Sequence, residues 1–213
     1  MKRLDPHLLT PVAPVDLPTA PMPLDLPDSR PIPHHSRASP RPEAVASSRL
    51  TLHRVANPAD PVFRDLCLLL CSDPAYWAQT RTMTMDARAA HDMLGNLPAD
   101  ASPERKYLWA LRLDGKLVGC LDVLRQWPTR STLSIGLLMV APNLRGQGIG
   151  HAALEQLRLR TRAWSDVRRW RVAVVESQAG ARRFWRGKAF SETGQSRTDA
   201  AHSAPLVVME RAA

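Results

Sequence analysis

Apolar and polar positions alternate over residues 49–55, in the order Arg-Leu-Thr-Leu-His-Arg-Val, and predict a first strand. Asp60-Pro61 reads as a helix start, with Asp60 as the cap and Pro61 in the first turn. Phe63, Leu66, Leu69 and Leu70 follow at helical spacing, and Asp73-Pro74 repeats the start signal. A further helix is expected from Asp86 to Leu94, stopped by Gly95. Hydrophobic strands near residues 107–113 and 117–125 flank Asp114-Gly115, a dipeptide that suits a two-residue hairpin. A third strand, Thr132–Val140, ends at Ala141-Pro142, where the residue before proline is held extended. The stripe Ile149, Ala153, Leu157 and Trp164 predicts a helix over 149–164. A short strand at 170–175, a short helix at Ala179–Arg186 and a last strand at 206–209 complete the chain. The order β, α, α, β, β, β, α, β, α, β is a mixed α/β layout with helices set between strands.

Composition changes this picture only at the N-terminal end. Of the 19 prolines in 213 residues, eleven fall between Pro6 and Pro42, where apolar residues show neither a 2.0 nor a 3.6 period. Residues 1–45 are therefore expected to be a disordered, extended Pro-rich arm, and residues 46–213 one globular domain. No run of 18 apolar residues exists, so no membrane-spanning helix is expected. Pro6, Pro11 and Pro14 interrupt the stretch after Lys2-Arg3 and make it a poor export signal. Three cysteines do not make a disulfide framework and point to a reducing cytoplasm.

Net charge is +9, and it is unevenly spread. Residues 1–45 hold five charges of each sign, whereas residues 151–190 hold ten basic and three acidic side chains. Such a patch suits a polyanion: a nucleic acid, a membrane surface or a phosphorylated cofactor. No recognition helix, zinc finger or RNA-binding sheet motif accompanies it, so nucleic acid is not the expected partner, and neither is a membrane.

The most informative segment runs from Gly136 through Val140-Ala141-Pro142-Asn143-Leu144-Arg145-Gly146-Gln147-Gly148-Ile149-Gly150. A strand ends, three glycines alternate through a turn, and a helix begins. Glycine permits positive φ and lets a ligand approach without meeting a Cβ. Consecutive N–H groups in that geometry, with the positive end of the following helix, form an anion site suited to pyrophosphate. The absence of Gly-Lys-Ser/Thr excludes a nucleotide-triphosphatase loop, and the GxGxG spacing differs from the GxGxxG of dinucleotide folds.

Arg145-Gly146-Gln147-Gly148-Ile149-Gly150 resembles the [Gln/Arg]-x-x-Gly-x-[Gly/Ala] signature of the GNAT superfamily, the acyl-CoA-dependent N-acetyltransferases. Downstream, Gln178-Ala179-Gly180-Ala181-Arg182-Arg183-Phe184-Trp185-Arg186-Gly187-Lys188-Ala189-Phe190 is similar to the family's second signature, Asn-x-x-Ala-x-x-Phe-Tyr-x-x-x-Gly-Phe. The resemblance covers residues 49–211 by element order and is specific over 136–190. It implies a mixed, mostly antiparallel central sheet flanked by helices. It also implies acetyl-CoA as co-substrate, direct transfer of the acetyl group to a primary amine of a small molecule or protein, and a common tendency to dimerise. No metal is implied.

By the same resemblance the CoA pyrophosphate lies on the backbone of Arg145, Gly146, Gln147, Gly148, Ile149 and Gly150. Leu138, Met139 and Val140 pair with the pantetheine arm, and one of their N–H groups polarises the thioester carbonyl. Gln178, Arg182 and Trp185 face the cofactor from the second signature. Tyr76 and Trp77, in the helical region before the hairpin, face the acceptor. Trp185 stands where the family often has a tyrosine that protonates the leaving thiolate, a role indole cannot fill. That departure raises an alternative, a non-catalytic acyl-CoA-binding module.

Two carboxylates are candidate bases for the acceptor ammonium. Asp122 shares a strand face with Val118, Cys120 and Leu124, where burial would raise its pKa; Glu176 follows the strand at 170–175. Cys120 is a conceivable acyl acceptor, but no histidine stands at a suggestive position. Cys67 and Cys71 share a helix face without partners for a zinc set.

Overall fold

The computed structural model describes residues 50–213, and the Pro-rich arm and Arg49 lie outside the described residues. Seven strands form one sheet in the order β1-β2-β3-β4-β5-β7-β6. They are β1 Leu50–Val55, β2 Lys106–Leu113, β3 Lys116–Arg125, β4 Thr132–Val140, β5 Arg169–Val175, β6 Ser191–Arg197 and β7 Leu206–Ala212. All neighbours pair antiparallel except β4 and β5. Five helices flank the sheet: α1 Pro61–Cys71, α2 Pro74–Thr80, α3 Ala87–Gly95, α4 Ile149–Thr161 and α5 Ala179–Arg186.

The first three helices start in the same way. Asp60, Asp73 and Asp86 each accept a hydrogen bond from a first-turn N–H, those of Val62, Tyr76 and Ala89, at 2.8–3.0 Å. Each aspartate thus satisfies one of the four N–H groups that a helix leaves without an internal partner. In α1 the stripe Phe63, Leu66, Cys67 and Leu70 is buried. It packs with Val55, Leu108, Ala110, Cys120 and Met139 of the sheet and with Trp77 and Leu94 of α2 and α3. On the opposite face Ile149, Ala153, Leu154 and Leu157 of α4 pack with Leu121, Val123, Leu133 and Ile135. The sheet is thus sandwiched between α1–α3 and α4–α5, with a core on each side.

Three features depart from the sequence pattern. Strand β6 is exposed at every residue and carries no apolar side chain, so it gave no hydrophobic signal. It is extended because it pairs along the edge with β7. Asp73-Pro74 opens a helix of its own, as its start signal indicates, so three helices precede the hairpin where the element order had two. Val118 packs with Leu121 and Val123, not on the face of Cys120. Between β2 and β3 the register shifts here, Leu111 facing Gly119 and Arg112 facing Leu117, so Val118 is an extra residue and the alternation inverts.

Candidate active site

Parallel strands β4 and β5 stay together only over Thr132↔Arg169 to Ile135↔Val172. Gly136 is an extra residue with no partner on either neighbour, and from Leu137 onward β4 pairs with β3 alone, through Leu137↔Asp122, Leu138↔Leu121, Met139↔Cys120 and Val140↔Gly119. Burial changes at the same point: Thr132 to Ile135 are buried, Gly136 is exposed, and Leu137, Leu138 and Val140 are half-buried. The two strands therefore part and leave one edge of Leu137–Val140 facing a gap. A free strand edge offers alternating N–H and C=O groups to an extended ligand.

At the end of β4 the chain turns through Pro142–Leu144 into the glycine loop. Gly146 and Gly148 have φ of +77° and +81°, a conformation other residues reach only at a cost. A Cβ at Gly146 would meet nothing within 4 Å, so its backbone is open to approach. Gly148 caps α4 without a side-chain hydrogen bond, leaving the first-turn N–H groups of that helix free for an anion. Gly150 serves helix packing instead. A Cβ there would lie 3.2 Å from the Phe184 ring, so this glycine lets α4 approach α5 closely. These features fit a pyrophosphate at the loop and a pantetheine along the gap.

Side chains around the loop are tied to protein partners. Arg145 donates through Nε to Val140 O at 3.1 Å and lies 2.6 Å from Asp73. Gln147 donates to Asn143 O at 3.3 Å. Across the gap, Gln178 caps α5 and its amide donates to Gln79 Oε1 at 3.3 Å. Arg182 is engaged by Glu192 at 2.9 Å and Glu176 O at 3.3 Å. Trp185 is 6% exposed and packs edge-on against Phe184 and Phe190.

The two carboxylates differ sharply in setting. A Cβ at Gly136 would lie 3.5 Å from Asp122 Oδ2, which places that carboxylate over the point where β4 leaves β5. The same oxygen accepts from Lys106 Nζ at 3.0 Å, and Lys106 also donates to Asn96 O at the end of α3. Burial pushes the Asp122 carboxyl above the ordinary range, with the Lys106 ammonium and, more weakly, Arg54 opposing. Glu176 is exposed beyond the end of β5, its N–H bonded to Pro205 O at 2.8 Å.

Trp77 is 3% exposed and donates to Leu70 O at 2.5 Å, so its indole is a core element. Tyr76 is half-buried, with the Arg145 guanidinium 5.7 Å from its ring. Burial raises the Tyr76 pKa, while Arg81 and Arg145 pull it back. Cys120 is fully buried and burial drives its thiol far above the ordinary range, so it supplies no thiolate. Sequence reasoning had no means of finding Asp73 and Lys106 at the site, because their partners lie 72 and 16 residues away.

The fold pairs half of the ten basic side chains in segment 151–190 with carboxylates and leaves the segment basic. Arg158 pairs with Glu155, Arg169 and Arg171 with Glu210, and Arg182 and Arg186 with Glu192. Glu192 and Glu210 come from outside the segment, on β6 and β7. Among the described residues no helix is long and apolar enough to cross a membrane, and no group of three His, Cys, Asp or Glu side chains is placed to hold a metal ion.

Solved structures share this fold. An acetyltransferase from Thermus thermophilus superposes with a TM-score of 0.60 at 23% identity, over 77% of this chain and 97% of that one. A GNAT family acetyltransferase from Elizabethkingia anophelis with acetyl-CoA bound gives 0.52 at 16% identity, over 77% and 98%. An acetyl transferase from Salmonella typhimurium that modifies the N-terminal serine of ribosomal protein L7/L12 gives 0.59 at 15% identity, over 79% and 97%. The sequence model described as the acetyltransferase (GNAT) family matches residues 72–190, more than half of the chain, from the end of α1 to the end of the second signature. With the parted strands and the glycine loop that this match spans, the chain belongs to the GNAT family of acyl-CoA-dependent acyltransferases.

Proposed function

We propose that the protein moves an acetyl group from acetyl-CoA directly to a primary amine, with Asp122 as the base. The observation that carries this reading is the Asp122 carboxylate set over Gly136, where the free edge of β4 begins. Acetyl-CoA supplies the activated acyl carbon and a thiolate leaving group. The backbone from Arg145 to Gly150 holds the pyrophosphate, with no need of charged side chains. Leu138, Met139 and Val140 hold the pantetheine by strand-like pairing, and a main-chain N–H on this edge receives the charge that develops on the carbonyl oxygen. Gln178, Arg182 and Trp185 form the α5 wall of the gap, and Tyr76 the α2 wall.

An acceptor amine arrives protonated and is inert until it loses that proton. Asp122 in its desolvated setting has a raised pKa, which brings it closer to the amine in proton affinity than an exposed carboxylate. Lys106 fixes its orientation by donating to Oδ2, the oxygen that lies over Gly136. Glu176, exposed past the end of β5, lacks both features and stands as the weaker candidate. A thiolate is a far better leaving group than an amine, so collapse toward product proceeds without a tyrosine at position 185.

Calorimetry tests the cofactor half and thiol release the catalytic half. The protein is expected to bind acetyl-CoA, and Gly148→Trp to lose that binding with its fold intact by circular dichroism. A panel of primary amines is then expected to include one that releases CoA thiol in wild type and not in Asp122→Asn. Binding to both proteins would remove the cofactor from the loop. Thiol release undiminished in Asp122→Asn would remove the base.

A further inference from the structure

Helix α2 is fastened at both ends to the strands that part at the gap. At its N-terminal end Asp73 is 8% exposed and uses both carboxylate oxygens. Oδ1 accepts from Tyr76 N–H at 3.0 Å and closes the first turn, while Oδ2 faces the Arg145 guanidinium at 2.6 Å. That second contact is close but misaligned for a hydrogen bond, so it acts as an ion pair. The same guanidinium is anchored through Nε on Val140 O, the last carbonyl of β4.

At the other end, Ser203 N–H donates to Thr80 O at 3.2 Å and Ser203 Oγ to Gln79 O at 2.6 Å. Gln178 reaches Gln79 from the cap of α5, and Arg81 bridges to His202. Gln178 follows β5 and Ser203 precedes β7, the antiparallel neighbour of β5, where Leu206 faces Val175. One helix thus ties the end of β4 to the end of β5.

Seven residues are too few to hold a helix in water unaided, so α2 depends on these fasteners. Arg145 is the fastener that belongs to the glycine loop. We infer that Asp73 is a positioning residue: through its pair with Arg145, occupation of the glycine loop by acetyl-CoA fixes α2, and Tyr76 on it, beside the loop end of the gap. The inference rests on the loop being the cofactor site.

The coupling has a simple physical origin. With the loop empty, glycines at 146 and 148 let the backbone beside Arg145 shift, and the ion pair shifts with it. A pyrophosphate bound to the loop amides fixes that backbone and holds the guanidinium between Val140 O and Asp73. Linkage is reciprocal, so a fixed α2 also tightens acetyl-CoA binding. An acceptor that needs Tyr76 in place then binds best to the loaded protein.

Hydrogen exchange followed by mass spectrometry on the full chain, with and without saturating acetyl-CoA, tests this without knowledge of the acceptor. Asp73→Asn keeps an oxygen that caps the helix and loses the charge that holds Arg145; Asp73→Glu keeps the charge and caps less well. Acetyl-CoA is expected to slow exchange of residues 76–81 about tenfold in wild type, toward the low end of the range for coupled sites. The slowing is expected to vanish in Asp73→Asn and to return in part in Asp73→Glu. Ser203→Ala, which loosens the far end alone, is expected to keep it. Calorimetric affinity for acetyl-CoA is expected to fall about tenfold in Asp73→Asn by the same linkage.

Equal slowing in wild type and Asp73→Asn overturns the inference, as does acetyl-CoA binding to wild type with no slowing in α2. Failure of acetyl-CoA to bind wild type at all overturns the glycine-loop reading, and this inference falls with it. Calorimetry alone separates that outcome from the other two.

Discussion

The Asp122 carboxylate and Gly136 are neighbours across two strands: a methyl group on Gly136 would sit 3.5 Å from Asp122 Oδ2. Gly136 is also the first residue of β4 with no partner on β5. The contact therefore sets a half-buried carboxylate beside the apex of the gap. Asp122→Asn is expected to lower kcat about 100-fold, the low end of what a positioned base contributes. The asparagine still accepts from Lys106, so the fold is expected to survive. In wild type the acid limb of the kcat/KM profile should lie above the ordinary carboxylate range, since burial raises this group, and should be absent in the variant. Steady-state thiol release from pH 5 to 9 checks both.

Trp185 allows a test of whether position 185 moves a proton. Its indole packs between Phe184 and Phe190 at 6% exposure. Trp185→Phe removes the N–H and keeps an aromatic ring. If no acid acts from this position, kcat should stay within about twofold, while stability falls by about 1–3 kcal/mol for the ring volume lost in a packed site. Turnover and chemical denaturation of the one variant separate the two effects. A large loss of kcat at unchanged stability would return a chemical role to this residue.

Gly119 constrains the sheet beside the gap. A Cβ there would lie 2.3 Å from Met139 O and 2.9 Å from a Leu111 methyl. Neither space nor a flexible neighbour accommodates it on the backbone side, so strands β3 and β4 must separate locally. Gly119→Ala is expected to cost about 1–3 kcal/mol, the range for overpacking. Because Gly119 pairs with Val140, the damage should reach the free edge, and acetyl-CoA affinity should fall with stability. Urea denaturation and calorimetry on the same variant check the pair of effects.

Much of this architecture could be read from local pattern because local physics sets it. Asp60 and Asp73 open helices as their positions predict, Asp86 caps the helix it was expected to begin, and Asp114 and Gly115 adopt φ of 49° and 80°, as a two-residue hairpin turn requires. Glycines 146 and 148 adopt the conformation that marks the loop. What stayed hidden depends on distant partners. Strand β6 has no apolar face of its own and exists through β7. The inversion at Val118 comes from a register shift that alternation does not encode. Arg145 reads as part of a loop signature, and nothing near it in sequence announces Asp73, 72 residues earlier. The helix over 149–164 ends instead at Thr161, whose hydroxyl turns back to Leu157 O, and Trp164 packs on the same core from the following turn.

Asp166 and Asp122 should give stability opposite dependences on pH. Arg125 and Gln126 hold Asp166 from one side, and hydrogen bonding from Arg125 pushes its carboxyl down to about 2 from an ordinary 3.8. A native pKa below the unfolded one means the unfolded chain binds more protons between the two values. The contribution of Asp166 is thus present above pH 3.8 and lost as pH falls toward 2. Asp122 is raised, so the native state holds its proton longer, and the contribution is full below the ordinary value and lost as pH rises through the native one. Relative to wild type, Asp166→Asn should therefore be destabilised at pH 6 and approach wild type as pH is lowered to 3. Asp122→Asn, which mimics the protonated group, should move the other way and fare best against wild type at pH 6 and above. Urea denaturation of the three proteins from pH 3 to 7 gives the two slopes. Parallel slopes for the two variants would mean that Lys106 outweighs burial at Asp122, and the carboxylate would then be too acidic to serve as the base.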